Sequence, residues 1–105
     1  MVSREEIVEA LKKVYDPEIP INVVDLGLIY KIDIVNDTVH IDMTMTAPGC
    51  PLAFYIVSLV KNAVKEVPGV KDVKVRLIWD PPWSPEMATE EGKRKLKKLY
   101  PWLFE

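Results

Sequence analysis

The chain has 105 residues, one cysteine and a formal net charge of −2, and 49% of its residues are hydrophobic. These totals suit a single globular domain over residues 1–105, and the near-neutral charge argues against nucleic-acid binding. No run approaches the roughly 18 apolar residues of a membrane span, and the N-terminus lacks signal-peptide character. Because one cysteine permits no internal disulfide, we expect a cytoplasmic protein. The abundance of Val, Ile, Lys and Glu, without any glutamine, suggests a thermophilic source.

Apolar periodicity predicts six elements in the order helix, strand, strand, helix, strand, helix. They cover approximately residues 4–15, 28–35, 38–45, 51–67, 73–79 and 90–99. Ser3 and Glu6 form a capping box before the first helix, and Thr89 is placed to cap the last one. Asn36 and Asp37 form a two-residue turn, so the first two strands make a hairpin.

This order predicts a two-layer α+β domain, in which helices cover one face of a three-stranded sheet. If the second and third strands are parallel, the helix between them is a right-handed crossover. The sequence does not determine whether the third strand lies beside the first or the second. On the second strand, alternation places Thr44 and Thr46 with His40 and Asp42 on the face opposite the core.

Residues 44–51 contain the only cysteine and lie where the strand pattern stops and a helix pattern starts. Pro51 suits the first helical position because it has no N–H to leave unpaired, so Cys50 is predicted at or near the N-cap. The free N–H groups and the helix dipole there favour a thiolate, the form that binds soft metals. Cys50 is therefore the leading candidate for a metal ligand.

Four segments, in this order, resemble the MIP18 family, also called DUF59, which includes PaaD-like and SufT-like proteins. They are residues 16–20 (DPEIP), 22–30 (NVVDLGLIY), 46–51 (TAPGCP) and 79–83 (WDPPW). The resemblance runs from about residue 3 to residue 99 and leaves an apolar C-terminal extension, residues 100–105, outside it. It implies the iron–sulfur cluster assembly domain fold and a non-catalytic role in maturing iron–sulfur proteins, as a carrier, scaffold or adaptor. The implied partners are iron–sulfur client or assembly proteins.

The resemblance also implies where the site lies. Its signature positions are Asp16, Glu18, Asp25, Thr46, Gly49, Cys50 and Pro51. We favour a structural role for Asp16 and predict cofactor binding by Cys50, Thr46, Glu18, Asp25 and Gly49, with Cys50 as the metal ligand. A cluster is normally held by about four thiolates, whereas one chain supplies one. The predicted cofactor is therefore a labile iron–sulfur cluster, or iron, shared between the subunits of a homodimer.

Two alternatives stay open at this point. A thiol enzyme would use Cys50 as its nucleophile and needs a base within reach, but the only histidine, His40, lies roughly 20 Å along the strand from Thr46. A pure protein–protein adaptor would keep Cys50 as a structural residue. An exposed Trp83 in its proline-rich loop would favour the adaptor, as would an apolar C-terminus packed on a second subunit rather than on its own sheet. Trp79, at the end of the third strand, is expected in the core.

Overall fold

The computed structural model describes residues 2–46 and 52–104. Its elements follow the predicted order: α1 (Arg4–Leu11), β1 (Ile29–Val35), β2 (Thr38–Met43), α2 (Ala53–Lys65), β3 (Asp72–Leu77) and α3 (Glu90–Leu99). Short 3₁₀ helices, Pro85–Met87 and Pro101–Phe104, flank α3. The predicted α+β class is confirmed. Among the helices in these ranges, none combines the length and the apolar character needed to cross a membrane.

The three strands form one sheet in the order β1-β2-β3. β1 and β2 are antiparallel, and their connecting residues Asn36 and Asp37 have positive φ angles of 50° and 65°, as a type I′ hairpin turn requires. β3 runs parallel to β2 and pairs Leu77 with Met43. The third strand therefore lies beside the second, which answers the question that periodicity left open.

The hydrophobic core lies between one face of the sheet and the helices. On β2, Val39, Ile41 and Met43 are buried, whereas His40 between them is exposed, which is the alternation expected of a half-buried strand. α1 contacts α2, and α2 contacts β3. The fully buried helical side chains of this core are Ile7, Leu11, Ile56, Val60, Val64 and Leu96. The two-layer interpretation of the sequence agrees with this arrangement.

α1 ends at Leu11, earlier than the predicted end at residue 15. The Val14 N–H donates to the Leu11 carbonyl at 3.0 Å, and the Val14 carbonyl accepts from the Val23 N–H at 2.9 Å. Tyr15 then pairs with Asn22 in an isolated antiparallel bridge. The helix stops because the Val14 N–H bonds the residue three positions back rather than four, and the Val14 carbonyl pairs with the following loop. Val14 keeps its predicted burial, but Tyr15 is exposed.

β1 is irregular near its start. The register of its pairing with β2 shifts between Ile29 and Lys31, so strict alternation over residues 28–35 does not hold there. The side chain of Tyr30, at this irregularity, donates a hydrogen bond to the Pro81 carbonyl at 2.8 Å. This bond ties the start of β1 to the segment that follows β3.

The C-terminal extension folds back on α3. The rings of Tyr100 and Trp102 meet edge to face with 5.7 Å between their centres, and the Lys97 Nζ lies 5.4 Å from the centre of the Phe104 ring. Tyr100 and Phe104 are partly buried against the core, whereas Trp102 is 62% exposed. The extension therefore packs partly on its own domain and leaves part of its apolar surface uncovered.

Candidate functional site

The loop between α1 and β1 is built around Asp16. This side chain is buried, and its Oδ1 accepts hydrogen bonds from the N–H groups of Glu18 at 2.8 Å and Ile19 at 3.0 Å. Such a turn, closed by an aspartate side chain, shapes the backbone of a loop. The geometry agrees with the structural role favoured for Asp16. Glu18, in contrast, has an exposed side chain that is free to approach a ligand.

Asp25, which lies between the apolar residues Val24 and Leu26, is buried, and both of its carboxylate oxygens accept hydrogen bonds. Oδ2 accepts from the Asn22 side-chain amide at 2.8 Å, and Oδ1 accepts from the Thr89 hydroxyl at 2.9 Å. Thr89 is the N-cap of α3, and its N–H also donates to the Asp25 carbonyl at 2.9 Å. Asp25 therefore joins the loop to α3 across 64 positions of sequence.

Asn22 is a loop-forming residue whose role the sequence analysis missed. It is buried, and its Oδ1 accepts hydrogen bonds from the N–H groups of Val24 at 3.0 Å and Asp25 at 2.9 Å. An available signal was the asparagine itself, because its side chain commonly bonds backbone groups two or three residues ahead. Asn22 thus holds Asp25 through both main-chain and side-chain contacts.

Thr44 does not lie on the solvent-facing side of β2, so that prediction is wrong. The strand ends at Met43, Thr44 is fully buried and its N–H donates to the Leu28 carbonyl at 2.8 Å. The error came from extending strict alternation beyond the end of the strand. Burial raises the pKa of the Tyr30 phenol, and the nearby Thr44 hydroxyl lowers this pKa to a smaller extent. Within residues 2–46 and 52–104, the buried Thr44 Oγ1 has no hydrogen-bond partner that meets the usual distance and angle limits. Thr46 is partly buried.

Cys50, Gly49 and Pro51 lie outside the described residues, so their place at the centre of the site stays a prediction. α2 begins at Ala53, Leu52 occupies the N-cap position, and no side chain of the described residues caps this end. This start comes two residues after the approximate start predicted at Pro51, and the predicted position of Cys50 at or near the N-cap falls on a residue that the structure does not describe.

The first turn of α2 carries an exposed apolar surface, which we call the α2 patch: Leu52, Phe54 and Tyr55. Phe54 is 84% exposed and Tyr55 is 57% exposed. Contiguous apolar residues on a monomer surface often mark an interaction site. The patch follows the 46–51 motif directly in the sequence, so it is a candidate contact surface beside the predicted cofactor residues.

Two tryptophans lie differently from their predicted environments. Trp79 comes after the end of β3 and is 41% exposed, so it is not a core residue. Trp83 packs against the core, and its Nε1 donates to the Leu26 carbonyl at 2.6 Å, so it is not an exposed partner surface. The burial of Trp83 depends on a contact across 57 positions of sequence, which no local pattern reports.

The sheet face opposite the core carries charged side chains. Arg76 donates two hydrogen bonds to Asp42, at 3.1 and 2.9 Å, and these bonds hold the pKa of the Asp42 carboxyl below its ordinary value. His40 is exposed on β2. Across the described ranges, no group of three or more His, Cys, Asp or Glu side chains is placed to hold a metal ion. The described part of this face therefore presents an ion pair rather than a metal centre.

A family model described as "Iron-sulfur cluster assembly protein" matches residues 4–77, which run from α1 to the end of β3. The chain belongs to the iron–sulfur cluster assembly protein family. The resemblance proposed from the sequence is confirmed, and three of its four motifs lie within the matched residues. The fourth motif, residues 79–83, and α3 follow the matched region.

Relatives within the iron–sulfur cluster assembly family cover most of the chain. A protein of Porphyromonas gingivalis named "Fe-S protein maturation auxiliary factor" is 48% identical, with 90% of each chain covered. The "Fe-S protein maturation auxiliary factor SufT" of Staphylococcus aureus is 40% identical and covers 76% of this chain and 92% of its own. A crystal structure of a DUF59 domain from Bacillus anthracis has a TM-score of 0.83 at 39% identity, covering 88% of this chain and 89% of that one. Longer proteins named "Iron-sulfur cluster carrier protein" also match, over 20% to 28% of their length.

Proposed function

We propose that this protein is a non-catalytic maturation factor that receives iron or a labile iron–sulfur cluster and passes it to client proteins. The observation that carries the proposal is the family match over residues 4–77 together with the single cysteine in the 46–51 motif. Thiolate is the usual protein ligand of iron–sulfur clusters. A reducing cytoplasm is the compartment in which such a lone thiol stays available.

In this proposal Cys50 is the metal ligand, and Thr46, Gly49 and Glu18 contribute to the same site. The exposed side chain of Glu18 supports a ligand-facing role. Asp25 is assigned a positioning role, because both of its carboxylate oxygens already accept hydrogen bonds from Asn22 and Thr89. One thiolate per chain is too few for a tightly held cluster, so a shared and labile cofactor fits a protein that hands its cargo on.

The first test is anaerobic reconstitution with ferrous iron and sulfide, comparing the wild type with Cys50→Ser. We expect the variant to keep its thermal unfolding midpoint but to bind at least about tenfold less iron, because a serine hydroxyl is a poor substitute for a soft thiolate. The readouts are visible absorbance and bound iron per chain after desalting. Cys50→Ser/Ser58→Cys is the matched control, because it places a thiol at an exposed position of α2 and should not restore binding.

The outcomes of this test separate two levels of the proposal. Equal iron binding by the wild type and Cys50→Ser would remove Cys50 from the site while leaving a maturation role possible through other residues. Absence of binding in both proteins would favour the adaptor alternative, in which the protein contacts clients without carrying metal.

The α2 patch is proposed as the surface that contacts the client. Phe54→Ser should reduce the rate of cluster transfer to an apo-ferredoxin by about tenfold, because buried aromatic side chains dominate interface energies. Cluster loading should be unchanged. Val35→Ser removes another exposed apolar side chain, at the end of β1, and should transfer at the wild-type rate. An equal loss in both variants would argue against a specific role for the patch.

A further inference from the structure

An open groove of about 550 Å³ lies between α1 and α2 and continues past the C-terminus of α2. Its charged lining consists of one exposed lysine, Lys13, and four exposed glutamates, Glu5, Glu6, Glu9 and Glu66. Buried Ala10 and Val67 contribute apolar surface to the same groove. The groove therefore combines an apolar floor with an acidic rim, and such a surface suits an occupant that is both apolar and basic.

Within the described residues, the acidic rim is only partly neutralised, because four glutamates and one lysine, Lys13, leave an excess of three negative charges. Glu6 accepts hydrogen bonds from Ser3 in the capping box, and Glu9 lies 3.8 Å from Lys12 in an exposed pair. Glu5 and Glu66 form no ion pair with any residue of the described ranges. Exposed ion pairs such as that of Glu9 with Lys12 are weak, so Glu9 remains able to bind an incoming cation, as do Glu5 and Glu66.

The same chain carries a surface of the complementary kind at the end of α3. We call it the basic corner: Lys97, Lys98, Leu99, Trp102 and Leu103. Its three apolar side chains are largely exposed: Leu99 is 44% exposed, Trp102 is 62% exposed and Leu103 is 40% exposed. Elsewhere on α3, Arg94 and Lys95 pair with Glu91, whereas the two corner lysines have no carboxylate partner in the described part of the chain. The Lys97 Nζ does lie 5.4 Å from the centre of the Phe104 ring of its own chain, a contact that does not neutralise its charge.

From this complementarity we infer that a second copy of the chain fills the groove with its basic corner. Trp102 and Leu103 pack on the apolar floor, and Lys97 and Lys98 face the glutamates of the rim. If the exchange is reciprocal about a two-fold axis, both grooves are filled and a closed dimer results. The inference rests on the groove and the corner alone and does not depend on the proposed function. It would, however, bring a second Cys50 into the same particle.

A charge-swap experiment tests the pairing directly. The groove variant is Glu9→Lys/Glu66→Lys, whose new lysines lie near helix C-termini and so suit the helix dipoles. The corner variant is Lys97→Glu/Lys98→Glu. Each variant alone opposes like charges and should associate at least tenfold more weakly than the wild type in sedimentation velocity. Mixing the two should restore association, because in the mixture each groove meets a corner of opposite charge.

The controls distinguish this contact from a general effect of charge. Lys61→Glu/Lys71→Glu makes the same change in formal charge as the corner variant at exposed positions outside both surfaces, and should associate like the wild type. Trp102→Ala should weaken association at least tenfold without changing charge. The inference is overturned if the wild type is monomeric at millimolar concentration, or if mixing the variants fails to restore what each has lost. Neither result decides whether Cys50 is a metal ligand, which the comparison with Cys50→Ser tests separately, whereas a monomeric wild type would also exclude a cofactor shared between two subunits.

Discussion

Replacing Gly92 by alanine is expected to destabilise the protein by about 3 kcal/mol, which corresponds to a fall of more than about 10 °C in Tm. In an exposed helix interior the same change would stabilise by about 1 kcal/mol, because alanine is the better helix former. The sign reverses here because a Cβ at Gly92 would overlap the Asp25 carbonyl oxygen and approach the Ala88 side chain. α3 must then move away from the loop and lose the bond from the Thr89 N–H to that carbonyl.

The measurement is thermal unfolding of Gly92→Ala followed by circular dichroism. Ser58→Ala provides the matched control, because it introduces alanine into an exposed interior position of α2 and should leave Tm unchanged or slightly raised. If Gly92→Ala is as stable as the wild type, α3 does not lie against Asp25 in solution. The position of α3 beside the candidate site would then be incorrect.

The parts of the fold that could be predicted from sequence are those set by neighbouring residues. The capping box of Ser3 and Glu6 is present as predicted, and the Thr89 hydroxyl accepts the Gly92 N–H at 3.1 Å. Asn36 and Asp37 form the predicted turn with positive φ angles. Each of these features is formed by residues no more than three positions apart, so both partners of the contact can be identified from one short stretch of sequence. Apolar periodicity predicted the order of the elements, and the fold implied by the family resemblance agreed with that order.

The parts that could not be predicted depend on contacts between distant segments. Val14 leaves α1 because its carbonyl accepts the Val23 N–H, and Trp83 is partly buried because its Nε1 donates to the Leu26 carbonyl. Thr44 is buried although alternation places it outside, since the chain leaves the strand at Met43. Hydrophobic periodicity reports which face of an element is apolar, but it does not report which other segment will cover the opposite face.

The candidate site shows the same division. The apolar neighbours of Asp25 in the sequence favour its burial, and a buried carboxylate needs a partner because burying a charge alone is costly. It did not identify the partners, since Thr89 lies on a different element. The loop of Asp16 and the cap of α3 were therefore predicted as separate features. In the structure they belong to one hydrogen-bonded unit that includes Asn22.

Asp25→Ala is expected to lower the free energy of unfolding by about 2–4 kcal/mol. The substitution leaves the Asn22 amide and the Thr89 hydroxyl without their acceptors in a buried or partly buried place, and each such loss costs about 1–3 kcal/mol. The measurement is urea unfolding at neutral pH, from which the free energy in water is obtained by linear extrapolation. A loss below about 0.5 kcal/mol, typical of a surface substitution, would contradict the assigned hydrogen bonds.

A double-mutant cycle with Thr89→Val isolates the contact between the two side chains. Because each single variant breaks the same bond, the combined loss should be smaller than the sum by about 1 kcal/mol or more. Thr89→Ser is the conservative control, since its hydroxyl can still bond Asp25 and cap α3. Strict additivity would show that Asp25 and Thr89 do not interact.

Bound iron after reconstitution then distinguishes positioning by Asp25 from direct ligation. If Asp25 acts by holding the loop that carries Glu18, Asp25→Ala and Thr89→Val should both reduce iron retention by similar factors, roughly tenfold, as is typical when a supporting contact of a metal site is lost. If Asp25 is itself a ligand, Asp25→Ala should lose iron while Thr89→Val retains it. Because Thr89 lies on α3, outside the loop and the 46–51 motif, its variant separates the two roles without altering any predicted ligand.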